Sequence, residues 1–314
     1  MQVIRGLPSS AAGPVALTIG NFDGVHRGHQ AMLFRLIEAA EDLALPSAVL
    51  TFDPHPREFF APGSAPPRVS SLRSKLQAFA DQGVARTVVA RFGPQLAALT
   101  PDAFIEDVLV RRLDVRWVLV GEDFRFGKGR AGDIKTLRGA ARTFSVEAMR
   151  TVSVENERAS STAVRRALAF GDLAHAAAML GRPFTISGRV AHGAKLGRTL
   201  GFPTANIPLK RMPPVSGVFV VRVHGLGEAP LPGVASVGVR PTITDAGEPL
   251  LEVFIFDFDQ PIYGRRLTIE FLHKLRDEER LPDVDALARR IRADVADARA
   301  YFVRGDSLAE LAAR

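Results

Sequence analysis

The sequence predicts two domains: an α/β unit with a parallel sheet over residues 1–182, then an antiparallel β-barrel over 183–314 that closes with a helix. Three observations carry this. A chain of 314 residues with 46% hydrophobic content is long enough to bury two cores rather than one. Up to Gly181, short apolar runs alternate with amphipathic segments of helical period. After Pro183 that period disappears until about Pro282, and apolar runs are separated instead by Gly and Pro turns.

In chain order, Val15 to Ile19 is a short apolar run bounded by Gly and Pro, as a buried strand is. Beyond it, Met32, Leu33, Leu36, Ile37, Ala40 and Leu43 recur at three- and four-residue steps and predict a helix. The connecting stretch, Gly20-Asn21-Phe22-Asp23-Gly24-Val25-His26-Arg27-Gly28-His29, therefore places His26 and His29 on one face of the first helical turn. Unpaired backbone N–H groups and the positive end of the helix dipole lie there. Taken alone, a His-x-Gly-His string is equally a helix start with two solvated histidines. Gly-Asn-Phe-Asp-Gly directly after a strand favours the anion site, where two imidazoles stabilise charge on a polyphosphate and Gly28 lets a nucleotide approach.

The second strand, Ser47 to Phe52, ends in Asp53-Pro54-His55-Pro56, so polar residues gather at the carboxyl ends of two parallel strands. Ser71 opens a helix closed by Gly83, and Val84 to Phe92 is a third strand. Thr100 caps a helix that carries Pro101 at its first position and runs to about Arg112. The fourth strand, Trp117 to Val120, enters a loop with four glycines that holds Asp123, Phe124, Arg125 and Phe126. Such a loop offers an aromatic face and cations, or is a basic turn with its Phe side chains packed inward. Ser160-Ser161-Thr162, with Arg165 one turn into the following helix, reads as a second phosphate clamp or as an ordinary Ser cap. A short helix, Asp172 to Leu180, ends the domain.

In the second half, strands are expected over 184–192, 217–224, 233–239, 250–258 and 267–272, and a final helix ending near Phe302. The stretch from His192 to Asn206 brings Gly193, Gly197 and Gly201 at four-residue steps, with Lys195 and Arg198 between them, as a backbone cradle for phosphates or a Gly-rich turn. It lacks the ending of a Walker A loop. Thr204 and Asn206, two apart on an extended segment, offer neutral oxygens to Mg²⁺ held largely by ATP. Strand alternation puts Glu252 on a face with Phe254, Phe256 and Phe258, where desolvation is expected to raise its pKa toward that of a general base, or it is equally a rim carboxylate at the strand's edge.

These strings together resemble bacterial bifunctional riboflavin kinase/FMN adenylyltransferases, also called FAD synthetases. The first ten-residue string and Ser-Ser-Thr-Ala-Val-Arg match the nucleotide elements of the adenylyltransferase half; Gly-Phe-Pro-Thr-Ala-Asn matches the kinase half. The resemblance implies a Rossmann-like nucleotidylyltransferase domain followed by a riboflavin kinase barrel. It implies that Asp53, His55, Asp123, Phe124 and Arg125 lie against the flavin and acceptor phosphate, and that Arg276 belongs to a segment folding over the flavin ring. ATP, Mg²⁺ and the flavins riboflavin, FMN and FAD are its implied substrates, products and cofactor. The chain departs from the family at Gln260-Pro261-Ile262 and at Leu281, the latter on the flavin side of the kinase site.

Composition bounds the alternatives. With no Cys, thiolate catalysis, disulfides and cysteine-held metals are excluded. The net charge of +7 is scattered, mostly on Arg, without a basic arm, so small phosphorylated substrates are favoured over nucleic acid. No bilayer-spanning stretch or signal segment is present, and a cytoplasmic location is expected. A transferase with a pantetheine or nicotinate nucleotide acceptor is opposed by the kinase strings. A flavin- or RNA-binding regulator without turnover is opposed by the intact chemical residues.

Overall fold

Six strands, all parallel, form the first sheet: β1 (Gln2–Arg5), β2 (Val15–Ile19), β3 (Ser47–Asp53), β4 (Arg86–Arg91), β5 (Val115–Gly121) and β6 (Ser145–Met149). This is a computed structural model, describing residues 1–193, 201–240 and 248–312. The chain divides into two units, Met1–Pro66 with Ser70–Ser161, and Pro67–Val69 with Thr162–Arg314.

The sheet order is β1-β4-β3-β2-β5-β6. The chain grows outward from β2 in one direction through β3 and β4, then returns to the other side of β2 with β5. Strand order thus reverses beside β2, where a crevice opens at the carboxyl ends of an open α/β sheet. All five β2 residues are buried, and α1 (Arg27–Asp42) covers the face that carries Ala16 with Leu33, Leu36, Ala39 and Ala40, while Val15, Leu17 and Ile19 face a second core on the other side. Sequence reasoning misses β1 and β6. Both are edge strands, largely exposed or half-buried, so neither carries the unbroken apolar run of its inner neighbours.

The remaining helices of this region are α2 (Pro56–Phe60), α3 (Leu72–Asp81), α4 (Pro94–Ala97), α5 (Pro101–Ala103) and α6 (Ile134–Ala140). The expected caps form: Ser71 accepts from the Ser74 backbone N–H, and Thr100 accepts from that of Ala103. The helix begun at Thr100 does reach Arg112, but over Phe104–Arg112 it is wound as a π-helix. A two-stranded hairpin, β7 (Ser153–Val154) and β8 (Glu157–Arg158), precedes α7 (Ser161–Phe170) and α8 (Leu173–Leu180), and α8 ends on Gly181 in the left-handed conformation.

Six antiparallel strands form the second sheet: β9 (Thr185–Arg189), β10 (Thr204–Pro208), β11 (Gly217–His224), β12 (Leu231–Arg240), β13 (Glu248–Ile255) and β14 (Arg266–Arg276), in the order β10-β13-β12-β11-β14-β9. An isolated bridge between Ala191 and Asn206 draws the two edges together, so the barrel is nearly closed. Ala205, Val221, Ala235, Val253, Ile269 and Phe271 fill its interior. The outer face of β11 and β12 is covered by the last helix, α9 (Val284–Ala312), whose Val295, Ala298, Tyr301 and Phe302 pack on Val218, Val220 and Val234. This helix outruns its expected end at Phe302.

Candidate active sites

The first site grows from the turn between β2 and α1. Phe22 and Val25 hold left-handed backbone, at φ of 49° and 44°, a strained conformation for side chains of their kind. Phe22 is nevertheless inaccessible, and Phe79 meets it edge-on at 5.3 Å, so packing holds the strain in place. Asp23 is also buried. Its carboxylate accepts from the Ser70 N–H at 3.0 Å, and its carbonyl accepts from Ser161 Oγ at 2.8 Å.

His26 is the N-cap of α1. Its Nδ1 accepts from the His29 N–H at 3.4 Å, which puts the proton of the neutral ring on Nε2. The two rings stack with centroids 3.6 Å apart, and Phe22 lies 4.9 Å from His29. Burial first, then the neighbouring charges of His26 and Lys75, hold His29 well below the ordinary histidine pKa. Its Nδ1 and the Asn21 Oδ1 are buried without a hydrogen-bond partner, a cost that a polar ligand would offset.

Gly28 has a second use that the sequence does not show. A Cβ there would stand 3.3 Å from both the His26 ring and the Ala159 carbonyl oxygen, so glycine makes room for the histidine itself. Lys75 is a residue that sequence reasoning missed. It is buried on α3 and donates to Thr51 Oγ1 at 3.4 Å, and Thr51 in turn donates to the Asn21 carbonyl at 3.4 Å.

The other expected residues of this half lie at or beyond the carboxyl ends of β3 and β5. His55 caps α2 through a reciprocal pair: Nδ1 accepts from the Arg57 N–H, and its own N–H donates to Glu58. Asp53 ends β3. Phe124 stacks on Phe126 at 5.5 Å, and Phe126 is buried against Phe104, so the pair serves the core as well as any ligand. Arg125 pairs with Asp133 and Asp123 with Arg158. In the second unit, Thr162 lies in the first turn of α7, and Arg165 Nε donates to the Pro67 carbonyl at 2.7 Å.

On the barrel, strand register gathers the chemical residues that the sequence left apart. Asn206 is paired directly with Glu252, Glu252 with Ser236, and Thr204 with Phe254, so all share one face. Asn206 is buried, and its Nδ2 donates to the Thr204 carbonyl at 3.2 Å. A Cβ on Gly193 would fall 2.5 Å from that amide, which fixes the need for glycine there. Gly201 has a φ of 85°, and Phe202 packs edge-on against Phe254. Lys195, Gly197 and Arg198 lie outside the described residues.

One expectation changes. Glu252 is exposed, because the face it shares with Phe254 is the outside of the barrel. The strand also ends at Ile255, before Phe256 and Phe258, so the expected desolvation is absent. Arg276 is engaged by the protein itself: Nε and Nη2 bond both carboxylate oxygens of Asp294 on α9, at 2.9 and 2.8 Å.

A parallel α/β sheet with a histidine pair at its switch-point helix, followed by an antiparallel barrel with a polar outer row, defines a nucleotide-handling transferase of two domains. A family model described as FAD synthetase matches residues 9–163, and one described as riboflavin kinase matches residues 180–302. The bifunctional riboflavin kinase/FMN adenylyltransferase of Escherichia coli (strain K12) is 47% identical over 96% of this chain and 98% of its own length. That of Pseudomonas fluorescens is 48% identical over 96% and 97%. A crystal structure described as a macrolide-efflux protein from Streptococcus pneumoniae superposes with a TM-score of 0.79 at 29% identity, covering 94% of this chain and 97% of that one. The chain belongs to the bifunctional riboflavin kinase/FMN adenylyltransferase family. Among the described residues no helix is long and apolar enough to cross a membrane.

Proposed function

We propose that the barrel domain, 183–314, phosphorylates riboflavin with ATP to give FMN and ADP, and that the α/β domain, 1–182, adenylylates FMN with ATP to give FAD and pyrophosphate. The observation that carries this is the presence, in one chain, of two separate chemical constellations, one within each family match except for Arg165, which lies just past the first.

In adenylyl transfer a phosphate oxygen of FMN bonds to the α-phosphorus of ATP, and the bond to the departing pyrophosphate breaks. The acceptor is already an anion and needs no base. His26, proton on Nε2, and His29 stabilise the charge that develops, while Gly20, Asn21, Phe22, Asp23 and Gly28 shape the turn around the nucleotide. Ser161, Thr162 and Arg165 take the phosphates from α7. Asp53, His55, Asp123, Phe124 and Arg125 take the flavin end.

In the kinase step the ribityl 5′-oxygen bonds to the γ-phosphorus, the bond to ADP breaks, and Glu252 accepts the hydroxyl proton. Its place beside Asn206 and Ser236 supports this role without any need for desolvation. Gly193, Lys195, Gly197, Arg198 and Gly201 cradle the phosphates, and Arg276 serves the flavin side. Thr204 and Asn206 fit Mg²⁺: with Nδ2 committed to a carbonyl, the amide oxygen is the atom Asn206 can turn to a cation. The ion neutralises phosphate charge when bound. The substrates are small molecules, nucleic acid takes no part, and the enzyme works in the cytoplasm.

The test gives the purified protein ATP and Mg²⁺ with riboflavin, or with FMN, and resolves the flavins by chromatography. FAD is expected from both, with FMN as an intermediate in the first. His29→Ala lowers FAD formation about 10²- to 10³-fold and spares FMN formation. Glu252→Gln abolishes phosphorylation alone. If both activities fall together in either variant, the division of labour is wrong.

A further inference from the structure

Lys75 and Phe79 are four residues apart on α3, hence on one face, and both are buried. That face supports the β2–α1 turn twice. Phe79 meets the ring of Phe22, which lies against His29. Lys75 reaches the backbone of Asn21 through Thr51. A buried ammonium is costly, and a neutral side chain would meet a need for packing alone.

We infer that Lys75 is a positioning residue of the adenylyl-transfer site, anchoring the turn through Thr51 and setting a fixed positive charge within reach of the histidine pair. The inference rests on the assignment of His29 to adenylyl transfer. The groups whose charge acts on His29 are His26 on its own helix and Lys75 on α3, and both disfavour its protonation. Burial is the first cause and these charges add to it, so the neutral imidazole is favoured for the anionic substrate. Sequence reading cannot find this, because a lysine in an amphipathic helix reads as solvent-facing.

The test follows the His29 ring by NMR titration in the full chain, alongside the pH profile of FAD formation. In Lys75→Met the His29 midpoint is expected to rise, and the acid limb of FAD formation to rise with it. Lys75→Arg keeps the charge and restores both. Thr51→Val cuts the relay but leaves the ammonium, so it slows FAD formation without moving the midpoint. Riboflavin phosphorylation by the same preparations reports intact folding of the other half. An unmoved midpoint in Lys75→Met, or an equal movement in Thr51→Val, overturns the inference. If Lys75→Met moves the midpoint while His29→Ala leaves FAD formation intact, the electrostatic coupling stands and the adenylyl-transfer assignment falls.

Discussion

His29 ties stability to pH as well as standing in the proposed adenylyl-transfer site. Its pKa in the folded protein lies well below the ordinary value of 6.5, with burial as the first cause. Below about pH 6.5 the unfolded chain binds a proton there that the folded chain does not, so stability falls as pH falls, with a slope of up to about 1.4 kcal/mol per pH unit until the folded pKa is reached. Above pH 6.5 the group contributes no slope. Thermal melts from pH 8 to pH 5 should show the decline, and His29→Gln should flatten it. If the variant follows the wild-type curve, another group sets the acid limit.

At the scale of elements, α9 is held to the barrel by apolar packing and by the Arg276–Asp294 pair. Asp294 is 5% exposed, and its removal would leave the Arg276 guanidinium with only Glu279 and the Asp277 carbonyl as partners among the described residues. Asp294→Ala should cost about 1.5–3 kcal/mol, read as a lower denaturant midpoint for the barrel domain, with FAD formation from FMN preserved. A loss under 1 kcal/mol would mean that packing alone seats the helix. The inner strands, the caps and α1 are legible in the sequence because each has a local signal: an unbroken apolar run, a Ser or Thr ahead of a period, a Gly behind it. Edge strands β1 and β6 lack one, since their exposed positions remove the apolar run. Glu252 shows a different gap: alternation tells which residues share a face, but only closure of the barrel decides which face is outside.

Over the whole molecule, the two sites belong to families that match separate stretches of chain, and each domain buries its own core. The activities should therefore complement between molecules. Glu252→Gln makes no FAD from riboflavin, and His29→Ala makes FMN with little FAD. An equimolar mixture of the two should make FAD from riboflavin through released FMN, and a failure to do so would show that FMN never leaves the molecule that made it. Much of this plan was readable beforehand, because each motif sits at a strand–helix or strand–turn junction. The pairing of Asn206, Glu252 and Ser236 was not, since they lie far apart in sequence and meet only through register.

That register has one more consequence. The bridge near the barrel's seam is a hydrogen bond from the Ala191 amide to the Asn206 carbonyl, at 2.8 Å. The backbone of Asn206 latches the sheet while its side chain faces the proposed nucleotide site. Deuterium uptake at that single amide therefore clocks how often the seam breathes, and the same clock registers arrival of ATP without any turnover having to occur.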